Sequence, residues 1–311
     1  VVREVPAPTP APDEVRVAVQ TTAVNRADVL QRMGLYPDPF PGPHEIPGLE
    51  YAGVVESVGA RVAGRRPGDE VMGIVSGGGY AEFVCVHERQ TVRVPRGVAL
   101  GDAGALPEVF VTAWDALVVQ GGLASGCSAL VHAGGSGVGT AAIQLCRAVG
   151  ARVIVTCSAP KRAACLALGA HAAVDHRTED FVEVVRRETD GAGVDVVLDV
   201  VGGDYAARNV ACLAPRGTIV QVGVMGGGDA AVPLGLLMRA RGRLVGTVLR
   251  PRPLEEKIAI SRRFEAEVVP LFESGALAPV IDRRYRLEEM ADAHRRMEAN
   301  ENVGKIVIDV R

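Results

Sequence analysis

The sequence predicts an α/β protein in which a doubly wound parallel sheet is joined to a β-rich domain. Three observations predict it. From Cys127 onward, short apolar runs alternate with helical stretches. Before about residue 110 the apolar runs are broken by Gly and Pro. A Gly-rich turn, Ala133-Gly134-Gly135-Ser136-Gly137-Val138-Gly139, stands between the first of the later runs and a helix. Near-continuous apolar strands separated by helices imply a parallel sheet covered on both faces. The 311 residues suit two domains.

Element by element, Val15, Val17 and Val19 alternate with Arg16 and Ala18, the pattern of a strand with one buried face. Further strands are expected at Gly53–Val58, Glu70–Ile74 and Ala81–Val86, with one short helix near Arg26–Gly34. The segment Pro37-Asp38-Pro39-Phe40-Pro41-Gly42-Pro43 must be a loop, because Pro lacks the N–H and fixes φ. The later strands are Ser128–Val131, Arg152–Thr156, Ala172–Asp175, Val194–Asp199, Thr218–Val222 and Leu244–Val248. Helices are expected at Val138–Val149, ended by Gly150, at Lys161–Leu168, ended by Gly169, and at Thr178–Glu188. Leu254, Ile258, Phe264, Val268 and Phe272 predict one long amphipathic helix. Strands Val280–Tyr285 and Lys305–Val310 then flank a helix at Leu287–Ala299. The expected domains are 1–110, 111–250 and a return segment, 251–311.

Composition removes several function classes. With 34 Lys+Arg against 37 Asp+Glu there is no broad basic field, so nucleic acid is not an expected partner. No stretch approaches the roughly 20 apolar residues of a membrane-spanning helix. The N-terminus lacks a signal-peptide layout, and Val1 in place of Met predicts a trimmed or incomplete chain. The six Cys have neither zinc-ribbon nor CxxC spacing, which suits a reducing cytoplasm and predicts no metal site.

The Gly-rich turn is the strongest local signal. Glycines let the backbone approach a pyrophosphate, and the following helix aims its free N–H groups and positive dipole end at that anion. The spacing is GGxGxG, so the strand–loop–helix setting carries the inference of dinucleotide binding. An NAD site places Asp or Glu at the end of the second strand for the ribose 2′-OH. Here that strand runs into Thr156-Cys157-Ser158-Ala159-Pro160-Lys161, with no acid. Lys161 at a helix start is unfavourable unless a 2′-phosphate reverses the local charge. Of the 34 basic residues only Lys161, Lys257 and Lys305 are Lys. The expected cofactor is NADPH.

Together with these features, Asn25-Arg26-Ala27-Asp28, Gly34-Leu35-Tyr36-Pro37, Pro47-Gly48-Leu49-Glu50, Gly77-Gly78-Gly79-Tyr80-Ala81-Glu82, Leu106-Pro107-Glu108, Thr112-Ala113-Trp114 and Val303-Gly304-Lys305-Ile306-Val307 make the chain resemble the medium-chain dehydrogenase/reductase superfamily. Within it the chain resembles the zinc-free NADPH:quinone oxidoreductases, the zeta-crystallin-like group, and is most similar to the tumour-suppressor-induced subgroup. The resemblance implies a GroES-like substrate domain, a Rossmann domain and a C-terminal return to the first. It also implies that the family's first β-hairpin is missing before Val1. Asn25 and Leu49 stand where the zinc-dependent branch has Cys and His, and neither can replace a thiolate or imidazole. The expected chemistry is then hydride delivery to an acceptor that is already electrophilic, a quinone or an enone.

By the same resemblance, Asn25 faces the nicotinamide or the acceptor, Thr112 lies near the nicotinamide ribose, and Gly134, Gly135, Ser136, Gly137 and Val138 cradle the pyrophosphate. Ser158, Lys161 and His176 form the 2′-phosphate pocket, and Val222, Gly223, Val224, Val248 and Leu249 fix the carboxamide. Tyr36 matches a tyrosine of the quinone pocket, with the acceptor in the cleft between the domains. Tyr51, where relatives have a small residue, either narrows that cleft, offers a phenol to the acceptor, or is strand packing. Glu50 is a general acid or a structural hydrogen-bond partner. Asp199 caps a turn. The arginines from Arg239 to Arg252 form a solvated rim or a subunit contact, and His294-Arg295-Arg296 is a helix's wet face. A homodimer is implied, plausible through the sheet edge near Leu244–Val248. The rival readings are an enone or enoyl-thioester reductase, and a cofactor-binding structural or RNA-binding protein with little turnover.

Overall fold

The computed structural model describes residues 2–40 and 44–311, so the Pro41–Pro43 part of the expected loop lies outside the described residues. Residues 37–40 carry no helix or strand. The chain forms two compact units, residues 1–111 with 249–311, and residues 112–248.

The first unit is built on β1 (Glu14–Val24), α1 (Arg26–Arg32), β2 (Glu50–Val58), β3 (Glu70–Ile74), β4 (Phe83–His87), β5 (Val92–Arg93) and α2 (Leu100–Ala103). Helix α3 (Pro107–Trp114) starts in this unit and opens with Pro, whose missing N–H costs nothing at a first helical position. Val15, Val17 and Val19 are fully buried with Val55, Val71, Val84 and Val86. The alternation runs to Thr21 and stops there, just past the register shift with β2 between Val19 and Thr21. Such a bulge re-aims the strand. Beyond it Val24 joins a second cluster with Val29, Ala293, Met297, Ile306 and Ile308.

The second unit is a six-stranded parallel sheet. Its elements are β6 (Ser128–Val131), α4 (Gly137–Val149), β7 (Arg152–Cys157), α5 (Arg162–Ala167), β8 (Ala172–Asp175), α6 (Phe181–Glu188), β9 (Val194–Asp199), α7 (Tyr205–Cys212), β10 (Leu213–Gln221), α8 (Leu234–Ala240) and β11 (Arg243–Gly246). The order is β11-β10-β9-β6-β7-β8. Chain direction reverses at β6, so the loop after β6 opens at the switch point where such sheets bind ligands. Helix α6 starts three residues later than the sequence suggests, because the Asp180 carboxylate accepts from Val182 N and caps it there.

The chain then returns to the first unit with α9 (Leu254–Glu267), α10 (Val269–Glu273), β12 (Ile281–Arg286), α11 (Met290–Glu298) and β13 (Lys305–Asp309). The expected single helix is therefore two, divided at Val268: Pro270 has no N–H to continue the ladder. β13 pairs antiparallel with β1, Val24 opposite Ile306, and this register carries Lys305 to the end of β1. The fold class is the expected one, a doubly wound parallel sheet with a β-rich partner.

Candidate active site

The turn after β6 has the form an anion needs. Ser136 caps α4, its Oγ accepting from Gly139 N at 3.0 Å. A Cβ on Gly139 would lie 2.3 Å from the Ala133 carbonyl, and one on Gly135 would lie 2.6 Å from Lys161 Cδ. The glycines thus let Lys161 lie directly across the loop, so Gly134, Gly135, Ser136, Gly137, Val138 and Lys161 are brought together. Ala133 opens the turn at φ +57.

Ser158 and Lys161 follow the end of β7, and His176 follows the end of β8. His176 Nδ1 lies 2.9 Å from the Cys157 carbonyl. A carbonyl can only accept, so Nδ1 carries the proton and the neutral ring offers Nε2 only as an acceptor. His176 therefore donates to an anion only when protonated. A second cation of this corner, Arg162, pairs with Glu179 at 2.9 Å. These residues fit the pyrophosphate of a dinucleotide: a cradle that any side chain would fill, a helix start, and the stem of a lysine laid against the loop.

Sequence reasoning missed what fixes the loop from below. Asn209 Nδ2 donates to Asp199 Oδ2 at 2.8 Å, which turns its Oδ1 toward His132 Nε2 at 2.7 Å. His132 Nδ1 then accepts from Thr156 Oγ1 at 3.0 Å, and Thr156 Oγ1 accepts from Ala133 N at 3.4 Å. All four side chains are buried, and burial pushes His132 toward its neutral form. The other Asp199 oxygen accepts from Val201 N and Gly202 N, the turn-capping role expected of it. Asn209→Leu strands His132 and a buried carboxylate, so it should cost about 3 kcal/mol in chemical denaturation. A loss below about 1 kcal/mol would show that water replaces the lost partners.

In the first unit, the Lys305 Nζ donates to Glu50 Oε1 at 2.7 Å, Asn25 Oδ1 at 2.6 Å and the Val24 carbonyl at 3.2 Å. Asn25 Nδ2 donates to Glu50 Oε1 at 2.8 Å and to the Ala23 carbonyl at 3.3 Å. Both amide protons of Asn25 are engaged, so toward a ligand it keeps only a lone pair on Oδ1. Glu50 Oε2 accepts from Glu108 N at 2.9 Å. Glu50 is therefore a hydrogen-bond hub. Asp28 reaches back to Asn25 N at 2.8 Å and accepts from Tyr80 OH at 2.9 Å. Burial raises Asp28 to about 6.

Glu108 is the second residue of α3. Burial first, and the Glu50 carboxylate second, push it up to about 8. The helix dipole favours its charged form by up to about 2 kcal/mol, roughly one and a half pH units, less than the upward push, so the direction stands. Tyr36 is half-buried, with its own proton held more tightly by burial and by Glu108. Arg250 anchors it: Nη1 donates to the Tyr36 carbonyl at 3.1 Å, and the guanidinium lies 5.2 Å from the ring centroid.

Three expectations need correction. Tyr51 is fully buried in the valine core, and its hydroxyl has no partner among the described residues. Burial drives its ionisation far above the usual range, so it meets neither acceptor nor cofactor: it is strand packing. Arg250 is no rim residue; it is 4% exposed and also donates to Ser76 O and Gln31 Oε1. His294 is no part of a wet face, being buried with its ring 5.9 Å from that of Tyr80. Its neighbour Arg296 is held by Asp282 at 2.5 Å. Of the remaining expected cofactor residues, Val222 and Gly223 follow β10, where Val222 N donates to the Asp199 carbonyl at 2.8 Å. Val224 and Val248 are exposed, Thr112 is buried, and Leu249 belongs to the first unit.

A zinc ion does not fit the first unit's polar cluster. Asn25, Leu49 and Glu50 offer one carboxylate, and that carboxylate already holds an ammonium. Among the described residues no group of three His, Cys, Asp or Glu side chains is placed to hold a metal. No described helix is long and apolar enough to cross a membrane.

Comparison with known proteins agrees with this anatomy. Residues 11–96 match the alcohol dehydrogenase GroES-like domain, and residues 168–308 match the zinc-binding dehydrogenase family. The chain is 32% identical over 318 residues to the human synaptic vesicle membrane protein VAT-1 homolog, covering 97% of this chain and 80% of the relative. It is 34% identical to the Danio rerio counterpart, covering 95% of this chain but only 64% of that relative. Among solved structures, an NAD-dependent alcohol dehydrogenase is 31% identical with a TM-score of 0.85, covering 99% of this chain and 95% of the other. The quinone oxidoreductase of Pseudomonas syringae pv. Tomato DC3000 is 30% identical with a TM-score of 0.88, covering 99% and 94%. The CurK enoyl reductase is 27% identical with a TM-score of 0.86, also covering 99% and 94%. A nucleotide-binding parallel sheet, a GroES-like unit rebuilt by the returning C-terminus, and relatives matched along nearly the whole chain lead to one assignment: the protein belongs to the medium-chain dehydrogenase/reductase superfamily of oxidoreductases.

Proposed function

We propose that the protein is a zinc-independent, NADPH-dependent quinone reductase. The observation that carries the reading is the segment directly after β7: Ser158 to Lys161 carries no carboxylate for a ribose 2′-OH, and the Lys161 stem lies across Gly135. When bound, the reduced nicotinamide supplies a hydride. Gly134 to Val138 and the start of α4 would hold the pyrophosphate, and Lys161, Ser158 and protonated His176 the 2′-phosphate. Thr112, Val222, Gly223, Val224, Val248 and Leu249 are the remaining cofactor residues of this reading.

The acceptor class follows from what the first unit's cluster can do. The Asn25 amide protons and the Lys305 ammonium are engaged internally, so neither group is free to polarise an unreactive carbonyl. An acceptor must bring its own electrophilicity, as quinones do. Asn25 and Tyr36 would orient it. A second reading, reduction of enones or enoyl thioesters, meets the same requirement and is favoured by the likeness to the CurK enoyl reductase. Steady-state rates with benzoquinones, naphthoquinones and alkenals separate the two. Turnover of quinones is expected, and turnover of alkenals alone favours the second. NADPH binding with no hydride transfer to any acceptor would leave a binding protein without turnover.

The same reading includes a homodimer through the β11 edge of the parallel sheet. Leu244 on β11 is 44% exposed, Met238 on α8 76% and Val248 50%, an apolar group at an unpaired strand edge. Sedimentation should show a dimer, and Leu244→Asp a monomer. A monomeric parent protein removes this part of the proposal.

A further inference from the structure

We infer that Glu108 is the acid that protonates the reduced acceptor. The inference rests on the reductase reading above and deepens it. Hydride adds an electron pair and one hydrogen to a quinone, leaving a hydroquinone anion that needs one proton more. The same holds for the enolate of an enone. Of the residues expected to touch the acceptor, Tyr36 has a proton to give, and burial and Glu108 make it hold that proton more tightly.

Three carboxyl groups surround the Lys305 ammonium, and two are engaged. Glu50 accepts from Asn25, Lys305 and Glu108 N. Asp28 accepts from Asn25 N, Tyr80 OH and Gly48 N. Both are wholly buried. The Glu108 carboxyl differs on each count. It makes no side-chain hydrogen bond among the described residues, it keeps partial exposure, and it lies near enough to the half-buried Tyr36 to strengthen that phenol's hold on its proton.

The charged and titratable groups around Glu108 come from every side. They are Glu50 on β2, Asp28 on α1, Tyr36 in the segment after α1, Lys305 on β13, and Arg250 in the segment after β11. The two cations favour the carboxylate. Burial and the two other acids outweigh them, and the group titrates near 8. At neutral pH it is a carboxylic acid poised near the working pH, where general acids act best. The competing donors are weaker. Lys305 uses its protons on Glu50, Asn25 and Val24, and an arginine does not give one up. In the step, the Glu108 O–H bond breaks and its proton forms the new O–H of the hydroquinone, or the Cα–H of a saturated carbonyl product. The electron pair stays on the carboxylate, which regains a proton from water.

Two measurements on the full chain test this. The first needs neither cofactor nor turnover. An infrared pH titration should show a protonated-carboxyl band that fades as pH rises through about 8 and is missing in Glu108→Gln. The second is the pH profile of 1,4-naphthoquinone reduction by NADPH. The parent rate should fall above about pH 8, the deprotonation limb of a general acid. Glu108→Gln should lower kcat about 100-fold at pH 7, abolish that limb and keep the NADPH dissociation constant. Glu108→Asp, which keeps an acid, should recover part of the rate and show a limb of its own. An active parent without the limb, or an equally active Glu108→Gln, overturns the role of Glu108 alone. A parent that binds NADPH and reduces neither quinone nor enone overturns the reductase reading, and the acid role with it.

Discussion

Lys161→Glu is expected to raise the KM for NADPH about 100-fold while leaving the KM for NADH within about twofold. A charge-assisted hydrogen bond contributes ~1.5–3 kcal/mol, and each 1.4 kcal/mol is a tenfold change in affinity. Reversing the sign adds repulsion at the same place. The prediction is sharp because Lys161 is set by the loop itself. Its aliphatic stem occupies the space that a Gly135 Cβ would need, so the side chain is laid along the turn after β6. The other cation there, Arg162, is occupied with Glu179 and is poorly placed to substitute. Lys161→Gln is the control. It removes the charge without reversing it and should raise the NADPH value about tenfold. Steady-state titration with both cofactors decides. Equal changes for the two would mean that Lys161 packs the loop and reads no phosphate.

What could be read from the sequence differs between the two units for a physical reason. In the second unit the signals are local. The glycine turn, the Ser136 cap, the strand Val194–Asp199 and the missing acid after β7 lie within a few residues of what they determine. The His132 network escaped because His132 and Asn209 meet only when β6 and α7 pack, 77 positions apart. In the first unit nearly everything is long-range. Lys305 reaches Glu50 across 255 positions and Arg250 reaches Gln31 across 219. A lone Arg after a strand looks like a wet rim until that packing is known. Tyr51 was ambiguous for a related reason: strand periodicity fixes alternate faces, but only tertiary packing decides which one is core. Glu108 carried a weak local signal, since Leu106-Pro107-Glu108 is a helix start with Pro in the first position. That signal marks a helix and says nothing of the carboxyl's surroundings.

Lys305→Met should be the most destabilising single change in the first unit. Lys305 is 3% exposed and Glu50 0%, so the substitution leaves a buried carboxylate with only Asn25 Nδ2 and Glu108 N for company. Breaking a buried pair from one side costs ~3–5 kcal/mol, whereas an exposed pair is worth ~0–1 kcal/mol. For a unit of this size that corresponds to a fall in Tm of roughly 10–15 °C. Glu50→Gln in the Lys305→Met background removes the stranded charge and should restore part of the loss, a coupling that a double-mutant cycle measures. A second readout separates the local electrostatics from stability. The Lys305 charge favours the Glu108 carboxylate, so its removal should move the Glu108 titration above its present value near 8. The infrared band of the protonated acid should then persist to higher pH in Lys305→Met. A Tm within about 3 °C of the parent, with the Glu108 band unmoved, would mean that water reaches Glu50 and that the cluster has no common electrostatics.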